Sequence, residues 1–143
     1  MTCKVNDPGK TFELILHSKI AHISKVEKFL YEIREKLGID EEHFYKLLVA
    51  TTEAVNNGII HGNKRDPEKK VILRCTQTDS VLKVSVRDEG AGFDSEKLPD
   101  PLADENLMRD HGRGVFLIRS LMDKVEYRHS ASGSEVVMEL RLK

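Results

Sequence analysis

A line of polar side chains crosses an otherwise apolar helical pattern in the stretch Glu53-Ala54-Val55-Asn56-Asn57-Gly58-Ile59-Ile60-His61-Gly62-Asn63. Glu53, Asn57 and His61 recur every four residues, so a helix places them on one face. The pattern predicts that this face packs against the core, where a carboxylate or an amide is unfavourable without a polar partner. The stretch therefore predicts a polar group bound against the helix, and a metal–nucleotide complex is the first candidate.

Size and charge narrow the class of protein. The 143 residues suit one domain that spans 1–143, with one core. The 23 Lys and Arg nearly balance the 24 Asp and Glu, which argues against direct binding of nucleic acid. No apolar run predicts a signal peptide or a membrane span, so we expect a cytoplasmic protein that does not bind a membrane. Cys3 and Cys75 lie too far apart in sequence for a disulfide framework or a zinc site.

The first half of the chain predicts one strand and two helices. Residues 11–17 partly alternate between apolar and polar, as in a strand. Apolar residues then recur at helical spacing from Ile20 to Leu37, with Ser18 as the expected N-cap and Gly38 as the end. Asp40 is the expected N-cap of the next helix, which continues to Gly62.

The second half predicts two hairpins separated by a long loop and a short helix. The long loop covers 88–113, and a loop of that length is often functional. The order of elements predicts an α+β fold, a two-layer α/β sandwich whose mixed, mostly antiparallel sheet carries helices on one face. The predicted strands and the helix are Val71–Thr78, Val81–Arg87, Val115–Met122, Val125–His129 and Glu135–Leu142.

A second motif, Asp88-Glu89-Gly90-Ala91-Gly92-Phe93, directly follows a predicted strand. The carboxylate of Asp88 can accept a hydrogen bond from an exocyclic amine such as that of adenine. Gly90 and Gly92 let the backbone approach a flat ring closely. From these residues alone, a plain turn capped by the aspartate remains the alternative.

A third motif, His111-Gly112-Arg113-Gly114, stands just before the predicted short helix. Free backbone N–H groups at the start of a helix make an anion site, and Arg113 adds further donors. A simple turn is the alternative. The motif is neither the dinucleotide-binding fingerprint nor a P-loop.

The polar line of the first motif has alternatives of its own. Asn57 can be a buried amide satisfied by backbone, and Glu53 can pair with an arginine. His61 is better explained by its place near the helix C-terminus than as a metal ligand. The spacing does not match a zinc motif, whereas a hard ion such as Mg²⁺ takes oxygen ligands, which Asn57 supplies.

In this order, the three motifs resemble those of the Bergerat-fold (GHKL) ATP-binding domains. The resemblance covers nearly the whole chain and is closest to the small bacterial anti-sigma factors that are also serine-protein kinases. The third motif extends here as Gly112-Arg113-Gly114-Val115-Phe116-Leu117-Ile118-Arg119-Ser120-Leu121-Met122-Asp123. The three motifs together are more specific for the fold than for the kinase activity.

The resemblance implies a role for each motif residue. Glu53 would be the general base, and an arginine, Arg109 or Arg113, would neutralise the transferred phosphoryl group; a solvated lid charge is the alternative for Arg109. A lid over the phosphates would cover about 94–111. Ser134 stands where the family has the threonine of a Gly-Thr pair. The nucleotide ligands implied are Asn57 for Mg²⁺, Asp88 for the adenine amine, Gly90 and Gly92 for the ring, and Gly112 and Gly114 for the phosphates.

The implied function is transfer of the γ-phosphoryl group of ATP to a Ser or Thr of an anti-sigma-factor antagonist. A sigma factor would be the second partner, and the first strand and helix would be the edge of a possible homodimer. No pair of dimerisation helices carries a phosphoacceptor histidine, so a histidine kinase is disfavoured. Two alternatives remain, a nucleotide-binding interaction module without kinase activity and a structural domain that binds no nucleotide.

Overall fold

A five-stranded sheet with helices packed on one of its faces forms the fold of the computed structural model, which confirms the expected α+β class. The structure describes residues 10–90 and 105–142, and for 105–111 it describes the backbone only. The elements are β1 (Lys10–His17), α1 (Ile23–Leu37), α2 (Glu41–Asn57), β2 (Lys70–Thr78), β3 (Val81–Asp88), α3 (Glu105–Leu121), β4 (Lys124–Ser130) and β5 (Gly133–Arg141).

The strand order β1-β2-β3-β5-β4 puts β3 at the centre of the sheet. Each of the four pairings between described strands is antiparallel, so the sheet is more regular than the mixed sheet that the sequence predicted. Because Asp88 is the last residue of β3, its carboxyl group lies at the middle of one sheet edge. This position places Asp88, the first residue of the second motif, against the turn that follows α2.

The core lies between the sheet and the helices. One face of each inner strand is buried, as at Leu73, Val84 and Met138, and the helices bury stripes that include Leu30 and Leu47. Removing each such side chain from water stabilises the fold by about 1.5–3 kcal/mol. In the parts of the chain that the structure describes, no helix has the length and apolar character needed to cross a membrane.

Cys75 belongs to this core, on β2. Burial raises the pKa of its thiol to about 12, so the group is neutral and unreactive at physiological pH. Cys3 lies outside the described residues. Cys75 is therefore a structural residue of the buried face of β2.

The predicted caps at Gly38 and Asp40 are confirmed, and the one at Ser18 is wrong. Gly38 ends α1 with φ 66°, and Asp40 caps α2 by accepting from the backbone N–H of His43 at 2.8 Å. The same hydrogen bond holds the pKa of Asp40 below its usual range. Ser18 does not cap α1, because the short 3₁₀ turn Ile20–His22 precedes that helix. Its hydroxyl donates instead to the carbonyl of Lys69 at 2.9 Å.

The end of α2 also differs from the prediction. The α-helix stops at Asn57, and Gly58–Gly62 continues it as one wider π-helical turn. The backbone N–H of Asn63 bonds to the carbonyl of Gly58 at 2.8 Å, five residues earlier. Wider turns of this kind are frequent at functional sites. Here the turn brings Gly62 against the end of β3.

Candidate functional site

The carboxyl group of Asp88 is held in place by three donors at the end of β3. The backbone N–H of Gly90 donates to Oδ1 at 2.9 Å, and the backbone N–H of Ser134 reaches the same oxygen at 3.4 Å. The Ser134 hydroxyl donates to Oδ2 at 2.8 Å. Asp88 is only 7% exposed, so this network fixes the direction in which its carboxyl group can accept a further hydrogen bond. Ser134 thus supplies the hydroxyl expected from the family's threonine.

Glycines surround Asp88 because no side chain fits beside it. A Cβ on Gly62 would overlap the Asp88 carboxyl group, and a Cβ on Gly90 would overlap the carbonyl of Gly62. Gly133 adopts φ 146° at the start of β5, and a Cβ there would overlap the carbonyl of Asp88. At these three positions the backbone therefore packs closely around Asp88.

An inner cavity opens beside this carboxyl group, between the sheet and helices α2 and α3. Its floor is a row of three side chains on adjacent strands, Val86, Val136 and Tyr127, and Asp88 and Ser134 lie along one side. Asn57 of α2 and Ile118 of α3 also line it. An apolar floor with a few converging polar groups is the usual form of a small-molecule site.

An outer groove continues from the inner cavity along the surface of α2. Glu53 and Asn57 line it, and both side chains are half-buried. Gly114 of α3 packs against the two side chains, since a Cβ there would lie 2.8 Å from Glu53 Oε2 and 3.0 Å from Asn57 Nδ2. Asn57 lines both the inner cavity and the outer groove, so it stands where the two meet. The structure thus brings Glu53, Asn57, Asp88 and Gly114 to one continuous site.

The predicted start of the third helix at Val115 is wrong in this conformation, and the anion site was predicted from that start. Helix α3 begins at Glu105 and not at Val115, so Gly112 and Gly114 lie within it. Backbone N–H groups inside an α-helix are bonded to carbonyls four residues earlier and cannot bind an anion at the same time. Gly92 and most of the predicted lid lie outside the described residues, as does the side chain of Arg109.

Two arginines line the outer groove, and the sequence analysis named only one of them. Arg113 of α3 was expected there, and Arg65 was not. Arg65 and its neighbour Lys64 have φ values of 60° and 52°, a left-handed backbone that is rare outside glycine. Strained pairs of this kind cluster at functional sites. No sequence signal marked Arg65, because Lys64-Arg65-Asp66-Pro67 reads as an ordinary loop.

Asn63, the last residue of the first motif, is a second residue whose role the sequence analysis missed. It is 1% exposed, and its amide donates to Ser18 Oγ at 2.6 Å and to the carbonyl of Lys70 at 2.9 Å. Its oxygen accepts from the backbone N–H of Glu89 at 2.8 Å. Asn63 therefore ties the π turn to the ends of β1, β2 and β3, which holds Gly62 against Asp88.

His61 lies in the π turn and lines the outer groove. Within the described residues, no group of three or more His, Cys, Asp or Glu side chains is arranged to hold a metal. A zinc site built from such a cluster is therefore absent from this part of the chain.

Comparison with known proteins adds independent evidence. The sequence profile of the histidine kinase-like ATPase domain matches residues 16–140. The serine-protein kinase RsbW of Listeria monocytogenes is 30% identical over 131 residues, which are 87% of this chain and 83% of that protein. The anti-sigma F factor of Oceanobacillus iheyensis is 34% identical over 83 residues, 57% of each protein.

A solved structure supports the same fold. The RsbU and RsbW domains of a Mycobacterium tuberculosis protein superpose with a TM-score of 0.69 at 18% identity, a match that covers 93% of this chain and 32% of that one. The resemblance drawn from the three motifs is confirmed by these matches. Because the profile and the Listeria kinase each align along most of the chain, the protein belongs to the histidine kinase-like ATPase domain family and is related within it to the RsbW serine-protein kinases.

Proposed function

We propose that this protein is an ATP-dependent serine/threonine-protein kinase that acts as an anti-sigma factor. It would transfer the γ-phosphoryl group of ATP to a Ser or Thr of an antagonist protein and hold a sigma factor inactive in a partner switch. One observation carries the proposal. Glu53 and Asn57 pack against Gly114 in the outer groove, and this groove leads to the inner cavity, where the Asp88 carboxyl group is held in place. The relatives named RsbW and anti-sigma F factor support the same activity.

The inner cavity suits an adenine base. Asp88 would accept a hydrogen bond from the exocyclic amine, because Ser134 and Gly90 already donate to its two oxygens and fix its direction. Val86 and Val136 would contact the flat face of the ring. Gly62 leaves the space that the amine needs next to the carboxyl group, since any side chain there would overlap Asp88.

Asn57 is the residue proposed to hold Mg²⁺. It stands between the inner cavity and the outer groove, where the phosphates of a base-bound nucleotide would pass. A single amide ligand fits an ion that keeps several waters and binds substrate phosphates. When bound, the ion would supply positive charge to the phosphates.

Glu53 is the proposed general base and lies one helical turn before Asn57, in the outer groove. A substrate hydroxyl in this groove would be within reach of its carboxylate, which would orient it or take its proton. Arg113 and Arg65 supply positive charge on the same groove, and one of them would stabilise the transferred phosphoryl group. Arg109 is proposed as a third such group, on the predicted lid.

Phosphate binding by Gly112 and Gly114 requires a change in α3. Their N–H groups are within the helix in this conformation, so the first turns of α3 would have to uncoil before these groups could bind phosphates. The two glycines make this change easier, because each weakens a helix by about 1 kcal/mol relative to alanine. We propose that nucleotide binding and uncoiling of the start of α3 occur together.

The test is phosphorylation of a candidate antagonist with labelled ATP and Mg²⁺, using wild type, Glu53→Gln and the matched control Glu42→Gln. Glu42 is an exposed carboxylate in the first turn of the same helix. We expect Glu53→Gln to bind ATP but to phosphorylate about 10²–10⁴ times more slowly, because it loses the base. The control should match wild type.

Two outcomes would count against the proposal. If ATP binds but neither phosphorylation nor hydrolysis depends on Glu53, the protein is a nucleotide-dependent interaction module and not a kinase. If MgATP does not raise the melting temperature of the wild type, a structural domain without nucleotide is the better description.

The proposed partners are tested separately. Pull-down of a candidate sigma factor with and without ATP measures whether binding depends on the nucleotide. The first strand is also a proposed homodimer edge, because β1 lies at one end of the described sheet and Ile15 is 54% exposed. Sedimentation velocity of the free protein measures this association.

A further inference from the structure

The hydroxyl of Tyr127 is a buried polar group that no step of the proposed reaction uses. Its oxygen is shielded from solvent and has no hydrogen-bond partner in residues 10–90 and 105–142. A buried hydroxyl without a partner destabilises a protein by about 1–3 kcal/mol. Within those residues the same is true of His22 Nδ1 and Thr51 Oγ1, but of the three residues only Tyr127 lines the inner cavity.

Because Tyr127 borders the cavity, a molecule bound there is the candidate partner for this hydroxyl. The residue lies on β4 opposite Val136, at the end of the apolar row that forms the cavity floor. The guanidinium of Arg119 in α3 lies 5.6 Å from the centre of its ring, so the ring is held between the sheet and the helix. Burial raises the pKa of Tyr127 to about 12, and the hydroxyl therefore remains a neutral donor at physiological pH.

Tyr127 and Asp88 approach the cavity from different strands. Asp88 is on β3 and Tyr127 on β4, with β5 between them. Neighbouring strands are about 4.8 Å apart, so β3 and β4, which have β5 between them, are roughly 10 Å apart. Groups on β3 and β4 would therefore contact different edges of a flat ligand. One edge would meet an acceptor, the carboxyl group of Asp88, and the other would meet a donor, the hydroxyl of Tyr127.

We propose that Tyr127 is a further base-binding residue of the nucleotide site, its hydroxyl donating a hydrogen bond to N3 or N7 of adenine while Asp88 accepts from the amine. This inference rests on the proposed ATP-dependent function. Adenine offers an amine donor on one edge and acceptor nitrogens on the others. Guanine carries an oxygen in place of that amine, which would face the Asp88 carboxylate with no proton between the two oxygens, so Asp88 and not Tyr127 would discriminate against guanine.

The experiment compares wild type, Tyr127→Phe and the control Tyr45→Phe, a tyrosine on α2 whose side chain is 62% exposed. Calorimetry measures binding of ATP, 3-deaza-ATP and 7-deaza-ATP, each with Mg²⁺. We expect Tyr127→Phe to weaken ATP binding about tenfold, because one hydrogen bond is lost. For one of the two deaza analogues, wild type and Tyr127→Phe should bind equally, since the analogue already lacks the acceptor nitrogen.

Melting temperatures distinguish a role in nucleotide binding from a role in the stability of the fold. Because Tyr127→Phe removes an unpaired buried hydroxyl, the variant without nucleotide should melt at the wild-type temperature or above it, while its MgATP-induced shift becomes smaller. Equal ATP binding by wild type and Tyr127→Phe overturns the inference and leaves the proposed kinase function intact. Weaker ATP binding with full sensitivity to both deaza analogues also overturns it. A wild-type protein that binds no ATP overturns both.

Discussion

At the scale of single residues, the site depends on a carboxyl group whose hydrogen bonds are already made. Ser134 replaces the threonine that the family resemblance led us to expect, and its hydroxyl still donates to Asp88 at 2.8 Å. The sequence alone could not show that a serine hydroxyl at position 134 reaches the carboxyl oxygen of Asp88 as a threonine hydroxyl would. The contact requires only an Oγ, which serine and threonine share.

Replacement of Ser134 tests this contact. We expect Ser134→Ala to lower the free energy of unfolding by about 1 kcal/mol and to weaken MgATP binding, because Asp88 loses a donor that fixes its direction. Ser134→Thr keeps the hydroxyl and should bind MgATP like the wild type. Urea unfolding and calorimetry measure the two effects. If Ser134→Ala and Ser134→Thr behave alike in both measurements, the hydroxyl does not support Asp88.

The two glycines of the third motif form a natural matched pair. Both lie within α3, but a Cβ on Gly112 would meet nothing within 4 Å, whereas one on Gly114 would press on Glu53 and Asn57. We expect Gly112→Ala to raise the free energy of unfolding by about 0.5–1 kcal/mol, since alanine is the better helix former. Gly114→Ala should lose that gain and slow phosphorylation, because it displaces the two proposed catalytic-site side chains. Equal unfolding free energies for the two variants in urea would contradict this assignment.

At the scale of elements, Asn63 joins four segments that are far apart in sequence. Its side chain contacts the end of β1, the start of β2 and the residue after β3, and its own backbone closes the π turn. These bonds position Gly62, and through Gly62 the opening beside Asp88. The first motif therefore has two functions, a polar helix face that points into the site and a terminal amide that fixes its geometry.

Asn63→Ala tests the structural part of the first motif. The substitution leaves the backbone N–H of Glu89 without its side-chain acceptor and removes the hydrogen bonds to Ser18 and Lys70, so we expect a loss of about 2–3 kcal/mol in the free energy of unfolding. Lys28→Ala, an exposed position on α1, should stay within about 0.5 kcal/mol of wild type. Chemical denaturation followed by circular dichroism compares them. A loss no larger than that of Lys28→Ala would mean that the π turn is held by its backbone alone.

Element boundaries were predictable from the sequence where they depend on local chemistry. Gly38, Asp40 and the turn at Asp79-Ser80 end or begin elements as expected, because each supplies a cap or a left-handed residue to its own backbone. Ser18 and α3 were mispredicted for the opposite reason. Ser18 is used by a contact with Lys69, and α3 extends through two glycines that local propensity would place outside a helix.

At the scale of the whole molecule, the motif order predicted the fold and the set of residues that meet, but not the geometry of the site. Glu53 and Asp88 are far apart in sequence. They come to one site because β2 pairs with β3 and α2 packs on the sheet, and the spacing of the motifs does not encode these contacts. Tyr127 joins the site only through such tertiary contacts, whereas Arg65 is placed locally by the hydrogen bond of its backbone N–H to the carbonyl of Ile59 at 2.7 Å. Neither belongs to a motif, so neither could be predicted from the sequence.

Hydrogen exchange with and without MgATP tests the proposed coupling between the nucleotide and α3. In the free protein, amides of the central strand β3 should exchange most slowly, because β3 is paired on both sides, and those of the edge strands β1 and β4 faster. With MgATP, protection should rise around Gly62, Gly90 and Ser134, and fall in residues 105–111, where the helix uncoils.

The matched variant for this experiment is Gly112→Ala, because alanine favours the helical form of α3 over the uncoiled one by about 1 kcal/mol. It should retain protection in residues 105–111 when MgATP is added and should bind MgATP about fivefold more weakly than wild type. Unchanged exchange in α3 of the wild type, together with tight MgATP binding, would show that the phosphates are held without Gly112 and Gly114. In that case the positive charge of Arg65 and Arg113, together with Mg²⁺ at Asn57, would have to bind the phosphates with α3 intact.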